Sequence, residues 1–263
     1  MDLLLANKIA FIAGSSQGLG YATAEILCKE NAIVVINGRD PEKLEKSAQK
    51  LVQKTNGSVY PFPGDVTDLG FPERLYEFIL SKFGKLDILI TNSGGPTPGS
   101  FESISNESWQ EAFELNFLSH ARLIRALLPL LKISETASVL TITSYSAKQP
   151  IPNLILSNAI RAATIGLTKT LSIEMGHEGI RFNSILPGWT KTARVISLME
   201  NRAKINNSSV EEEIRKQTLE SPLGRMAEPD EFAYVAAFLV SPRASYLTGT
   251  MLSVDGGMVK GIL

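Results

Sequence analysis

Short apolar runs recur along this chain, alternating almost throughout with segments of helical spacing. The runs are KIAFIAG (8–14), IVVING (33–38), SVYPFP (58–63), LDILIT (86–91), SVLTIT (138–143), IRFNSI (180–185) and TMLSVD (250–255). Helical patterns lie at 18–30, 40–54, 70–83, 105–131, 154–176 and 228–240. A continuous apolar strand has no face fit for water, so it must be covered on both sides. Strands of this kind alternating with helices predict an α/β fold: a doubly wound, seven-stranded parallel sheet. No internal repeat, low-complexity tract or Pro/Gly/Ser linker interrupts the pattern, so residues 1–263 are expected to form a single domain. Asp40 followed by Pro41 marks a helix start. The 58–63 run, broken by prolines, is the poorest strand.

One region departs from this rhythm. Residues 193–221, ARVISLMENRAKINNSSVEEEIRKQTLES, form a long insertion with helical spacing and a break at NNSS. It leaves the carboxyl end of a strand, where ligands bind in open α/β sheets. We expect a substrate-covering lid there, the other reading being a surface or oligomer-contact helix pair.

Composition narrows the function classes. A net charge of −1 excludes a broad basic surface for nucleic acid. Cys28 is the only cysteine, so no internal disulfide forms. No apolar stretch reaches the roughly 18 residues of a membrane span, and the opening run in MDLLLANK is too short for a signal-peptide core. The expectation is a cytoplasmic protein with no membrane or nucleic-acid partner. His120 and His177, the only histidines, belong to no metal-ligand cluster, so no metal is predicted, and packing is the expected role of His120. Ser144 lacks the Gly-x-Ser-x-Gly elbow of a hydrolase.

AGSSQGLG (13–20) follows the first strand and opens the first helix. Gly14, Gly18 and Gly20 permit a sharp turn and close approach to phosphate oxygens, and the helix that follows aims free N–H groups at them. Ser16, Gln17 and Leu19 lie between these glycines and belong to the same predicted cradle. The second strand ends in NGRD. An acidic residue at that strand end would accept hydrogen bonds from an adenosine ribose. Gly38 stands there instead, followed by Arg39, whose guanidinium suits a 2′-phosphate. This favours NADP(H), with NAD(H) left open; a solvated loop charge is the alternative for Arg39.

With these motifs in order, the chain resembles the short-chain dehydrogenase/reductase family from Lys8 to Met258. The family's Thr-Gly-xxx-Gly-x-Gly matches Ala13 to Gly20. Its adenine-contacting Asp-Val matches Asp65 and Val66. Its Asn-Asn-Ala-Gly matches Thr91, Asn92, Ser93 and Gly94. Its catalytic Asn and Ser match Asn116 and Ser144. Its nicotinamide-facing Pro-Gly matches Pro187 and Gly188, with Thr192 set to reach the carboxamide, and SVDGG matches the closing motif. The resemblance implies a Rossmann fold, a nicotinamide cofactor, a small-molecule substrate and a homodimer or homotetramer.

The resemblance breaks at one place. The family's catalytic Tyr falls on Ser157, thirteen residues after Ser144, and its Lys falls on Arg161. A Ser hydroxyl is far too weak an acid to be tuned near neutrality, while Arg keeps the positive charge but cannot titrate there. Losing a matched general acid typically costs about 10²–10⁴ in rate. Tyr145 and Lys148, in SYSAK, are nearby, but Pro150 and Pro152 exclude a regular helix, so the pair cannot copy the usual one-turn spacing; a loop or packing role is expected for Tyr145, the alternative being a replacement acid that reaches the pocket from the loop. The reading is an NADP(H)-preferring oxidoreductase of a carbonyl or alcohol, with Asn116, Ser144, Ser157 and Arg161 as an altered site. A nucleotide-binding sensor or subunit with little turnover is the alternative, and non-redox chemistry on the same fold a third.

Overall fold

The computed structural model describes residues 1–262. Seven parallel strands form one sheet: β1 (Ile9–Ile12), β2 (Ile33–Gly38), β3 (Ser58–Pro63), β4 (Ile88–Thr91), β5 (Ser138–Ile142), β6 (Arg181–Pro187) and β7 (Met251–Val254), in the order β3-β2-β1-β4-β5-β6-β7. The order reverses direction beside β1, which opens a crevice between β1 and β4 at their carboxyl ends. β3 is an edge strand, and that is why Pro61 and Pro63 are tolerated: the edge needs fewer backbone donors.

Alternating side chains of the central strands feed two cores. Ala10 and Ile12 pack on one face with helices α1 (Gly18–Lys29), α2 (Pro41–Thr55) and α9 (Pro229–Val240). Ile9 and Phe11 pack on the other face with α3 (Phe71–Phe83) and α5 (Ser119–Lys132). Each such fully buried side chain contributes about 1.5–3 kcal/mol. Asp40 caps α2, accepting from Lys43 N at 3.0 Å, with Pro41 as the first helical residue.

The helical pattern at 105–131 resolves into three pieces. Helix α4 (Asn106–Phe113) runs through a π-helical turn at Glu114–Leu118 into α5. A π turn holds one residue more than an α turn and commonly marks a functional site. Helix α6 (Ile155–Glu174) carries Ser157 and Arg161. The 193–221 insertion folds as α7 (Ala193–Asn206) and α8 (Val210–Thr218), separated at Asn207, whose φ of 49° is left-handed. Among the described residues, no helix is long and apolar enough to cross a membrane.

Candidate active site

A crevice of about 400 Å³ runs along the carboxyl ends of the strands. Its first end is made of backbone. Gly14 and Gly18 take φ values of 57° and 64°, in the left-handed region that favours glycine. A side chain at Gly14 would lie 3.0 Å from Asn92 Nδ2. The turn is tied to its neighbours: Gly14 N donates to Asn37 Oδ1 at 3.3 Å, and Asn92 Nδ2 donates to the carbonyls of Ala13 and Gly14 at 3.2 and 3.0 Å. Ser16, Gln17 and Leu19 line the crevice with these glycines. Gly20 does not. It packs beneath the turn, where a Cβ would come within 2.6 Å of Gly14 O, so a glycine is needed there for close helix-to-loop packing.

This end fits a phosphorylated dinucleotide. Helix α1 begins without a side-chain cap and without an acid in its first turn, which leaves its N–H groups for an anion. Arg39 lies at the crevice wall with its side chain 82% exposed, held only loosely by Asp65 at 3.9 Å. A side chain on Gly38 would meet Ser16 Cβ and Oγ at 3.0 Å, so an acid at this strand end would require Ser16 to give way by a few tenths of an ångström. Val66, Gly94, Pro187, Gly188 and Thr192 complete the walls. Thr192 also caps α7, accepting from Val195 N. Arg194, the second residue of α7, reaches across to donate to Pro96 O at 2.8 Å.

The second end gathers Ser144, Ser157 and Arg161. Ser144 follows β5 and its Oγ accepts from Ser146 N at 3.1 Å. Ser146, which no motif singled out, hydrogen-bonds Ser157 through the two hydroxyls at 3.1 Å. Arg161 lies one turn after Ser157 on the inner face of α6 and is buried. Its Nη1 donates to Ile142 O at 3.0 Å, its Nε has no partner, and no acidic side chain pairs with it among the described residues. Burial lowers its pKa to about 10, which leaves it fully charged at neutral pH.

Asn116 does not line the crevice. It is fully buried in the π turn, where its Nδ2 donates to Ser93 Oγ and Gly94 O, both at 2.7 Å, and its backbone carbonyl accepts from Thr164 Oγ1 at 3.1 Å. Tyr145 is buried beside Trp189, rings tilted 72° with centroids 6.3 Å apart, in a cluster with Ile151 and Met258. Burial, followed by the Glu220 charge, pushes its phenol well above the ordinary value, the wrong direction for a replacement acid. Lys148 is exposed.

Tyr145, Ile151, Leu154 and Leu198 line both the crevice and an adjoining second chamber of about 880 Å³, roofed by α7 and α8. Polar side chains dominate part of its wall, including Gln149, Asn201, Arg202, Gln217 and Glu220. Arg202 stands over the Trp189 ring at 5.2 Å.

A family model described as enoyl-(acyl carrier protein) reductase matches residues 13–259. The NADPH-dependent reductase BacG of Bacillus subtilis (strain 168) is 30% identical over 259 residues, which span 98% of this chain and all of that protein. The chain belongs to the short-chain dehydrogenase/reductase family. L-sorbose reductase from Gluconobacter frateurii, solved with NADPH and L-sorbose, superposes on this family member with a TM-score of 0.94 and 32% identity, each chain covered completely. An NADPH-bound short-chain oxidoreductase from Pseudomonas aeruginosa PAO1, described as containing an atypical catalytic center, superposes with a TM-score of 0.88 and 28% identity over 97% of this chain and 99% of its own.

Proposed function

We propose that this chain is an NADPH-dependent reductase of small carbonyl compounds that works without the Tyr/Lys pair of its family. One observation carries the reading. Ser144, Ser157 and Arg161 open into the same crevice as the glycine turn and Arg39. NADPH-binding relatives, one with an atypical catalytic center, add support.

Arg39 and Ser16 would take the 2′-phosphate, and the uncapped start of α1 the pyrophosphate. Reduced nicotinamide, when bound, supplies a hydride to a carbonyl carbon. Ser144 and Ser157 donate hydrogen bonds to the carbonyl oxygen, and Ser146 holds the Ser157 hydroxyl in place. Arg161 places a fixed positive charge beside the oxygen as negative charge grows there. A preorganised charge stabilises such a transition state without reorganisation. Neither serine stores a proton near neutral pH, so the oxygen is protonated from elsewhere. The substrate sits in the chamber under α7 and α8, which act as a lid. In this reading the protein is cytoplasmic and works as a homodimer or homotetramer.

The test is binding of NADPH and NADH by fluorescence, then NADPH oxidation against a panel of small ketones and aldehydes. Wild type and the Ser157→Tyr/Arg161→Lys double variant are compared. The expected result is tighter binding of NADPH and measurable oxidation by wild type with at least one carbonyl. Tight NADPH binding with no wild-type turnover on any carbonyl, and turnover only in the double variant, would turn the reading into that of a nucleotide-binding partner protein.

A further inference from the structure

Behind the reaction end lies a buried polar cluster that the reading above leaves without a task. His120, in the first turn of α5, is 1% exposed. Its Nε2 lies 3.2 Å from Ser93 Oγ, and the same oxygen accepts Asn116 Nδ2 at 2.7 Å. Ser93 lines the crevice. Three atoms of this neighbourhood are buried without partners: His120 Nδ1, Asn116 Oδ1 and Arg161 Nε. Buried polar atoms are paired in nearly all proteins, by water where no protein group reaches. Ser93 is a departure on this side of the site, since it stands where the family motif has Ala.

The hydrogen-bond inventory of the pair is restrictive. Ser93 Oγ has one proton to give and already accepts from Asn116. If His120 carries its proton on Nδ1, Nε2 accepts and the Ser93 hydroxyl points back at the ring. If the proton is on Nε2, the ring donates to Ser93, whose own O–H is free to point into the crevice. The tautomer of His120 therefore decides whether the crevice sees a donor at Ser93. Burial first, and the Arg161 charge second, lower the imidazole pKa to about 3, so the ring is neutral in either form.

Resting on the reductase reading, we propose that His120 is a positioning residue that acts through Ser93 to reload the site with protons, the task left vacant by the missing Tyr. The Ser93 Oγ–H bond breaks as the proton passes into the crevice to the new alkoxide, directly or through a bridging water. The Nε2–H proton refills Ser93. Nδ1 takes a proton from a water held against Arg161 Nε, whose positive charge stabilises the hydroxide left behind. The ring stays neutral and changes tautomer. After product leaves, a crevice water returns a proton through Ser93 to Nε2 and its hydroxide is neutralised by a proton from bulk solvent, while Nδ1 gives its own proton back to the buried hydroxide. No step needs an imidazolium.

The test has two arms on the full chain. In the first, protein with ¹⁵N-labelled histidine is followed by long-range ¹H–¹⁵N spectra, in which two rings are seen and His177, exposed on the surface, is the internal control. Adding NADP⁺ is expected to move the His120 tautomer ratio in wild type and not in Ser93→Ala. An unchanged ratio in wild type, or an equal change in Ser93→Ala, overturns the proposal whether or not any carbonyl is reduced. In the second arm, His120→Gln and Ser93→Ala are expected to lower kcat about 10- to 100-fold, the lower part of the range for proton transfer. NADPH affinity stays as in wild type and the solvent deuterium isotope effect rises. Ser93→Ala carries this arm if His120→Gln folds poorly. Unchanged kcat and isotope effect in Ser93→Ala, or a fall in kcat matched by lost NADPH binding, overturns it. Absence of wild-type turnover on every carbonyl sinks the reductase reading, and the first arm still decides what the imidazole does.

Discussion

The two ends of the crevice are built on different principles. The glycine end is shaped by backbone: positive φ angles at Gly14 and Gly18, and tight approach at Gly20, leave almost no choice of residue. The proposed reaction end is shaped by side chains on α6 and the loop after β5, where Ser157 and Arg161 are held by Ser146 and the Ile142 carbonyl. A site held by backbone geometry keeps its form under substitution pressure because alternatives collide. A site held by side chains can change its chemistry while the helix beneath it stays in place.

The sharpest way to break this comparison is Arg161→Met. Arg161 is a buried charge with no acidic partner, and a lone buried charge is costly to the fold. Its removal is expected to leave the melting temperature unchanged or raised and to lower kcat/KM by about 10²–10³. A large loss of stability with activity retained would show that the reaction end, too, is constrained structurally. At the other end, Arg39→Gln is expected to weaken NADPH about 10- to 100-fold, the scale of one charge-assisted contact, and to leave NADH binding unchanged. Equal weakening of both nucleotides would place Arg39 outside phosphate recognition.

A smaller effect sharpens the contrast through pH. Above its ordinary value of 6.5, His120 is neutral in both native and unfolded chains. Below it, the unfolded chain gains a proton that the native ring refuses until about pH 3. The unfolded state thus binds more protons over this window, and stability falls with falling pH by about 1.4 kcal/mol per unit. Urea melts between about pH 7 and pH 5 should show this slope in wild type and a flatter one in His120→Gln. The smallest expected change comes from the strap joining the two ends. Arg194→Ala removes the bond to Pro96 O and should raise KM for the carbonyl several-fold, with kcat and stability near wild type.

Much of the fold was legible from the chain. Seven apolar runs correspond to seven parallel strands because period and composition report burial directly. The π turn at 114–118 was not legible, since one extra residue hardly disturbs an apolar pattern, yet it shapes the stretch between Asn116 and His120. Site residues were legible where a motif fixes them in order. Ser146 and the Ser93–His120 pair were missed because their partners lie 11 and 27 residues away and meet only in the folded site. The signal for Ser93 was its place in a motif that otherwise holds Ala. Gly20 packs beneath the turn and Asn116 stands behind the crevice, because a linear motif does not distinguish residues that line a cleft from residues that hold those that do.

The crowding between Gly38 and Ser16 has a consequence for how nucleotide preference can change. Gly38→Asp alone would introduce the acid that an unphosphorylated ribose wants, but its Cβ would press on Ser16 at 3.0 Å. Ser16→Gly alone would give up a hydroxyl and gain nothing. Relief of that contact at Ser16 and removal of Arg39 would have to accompany the acid, so in a chain of this build a change of cofactor couples two neighbouring loops.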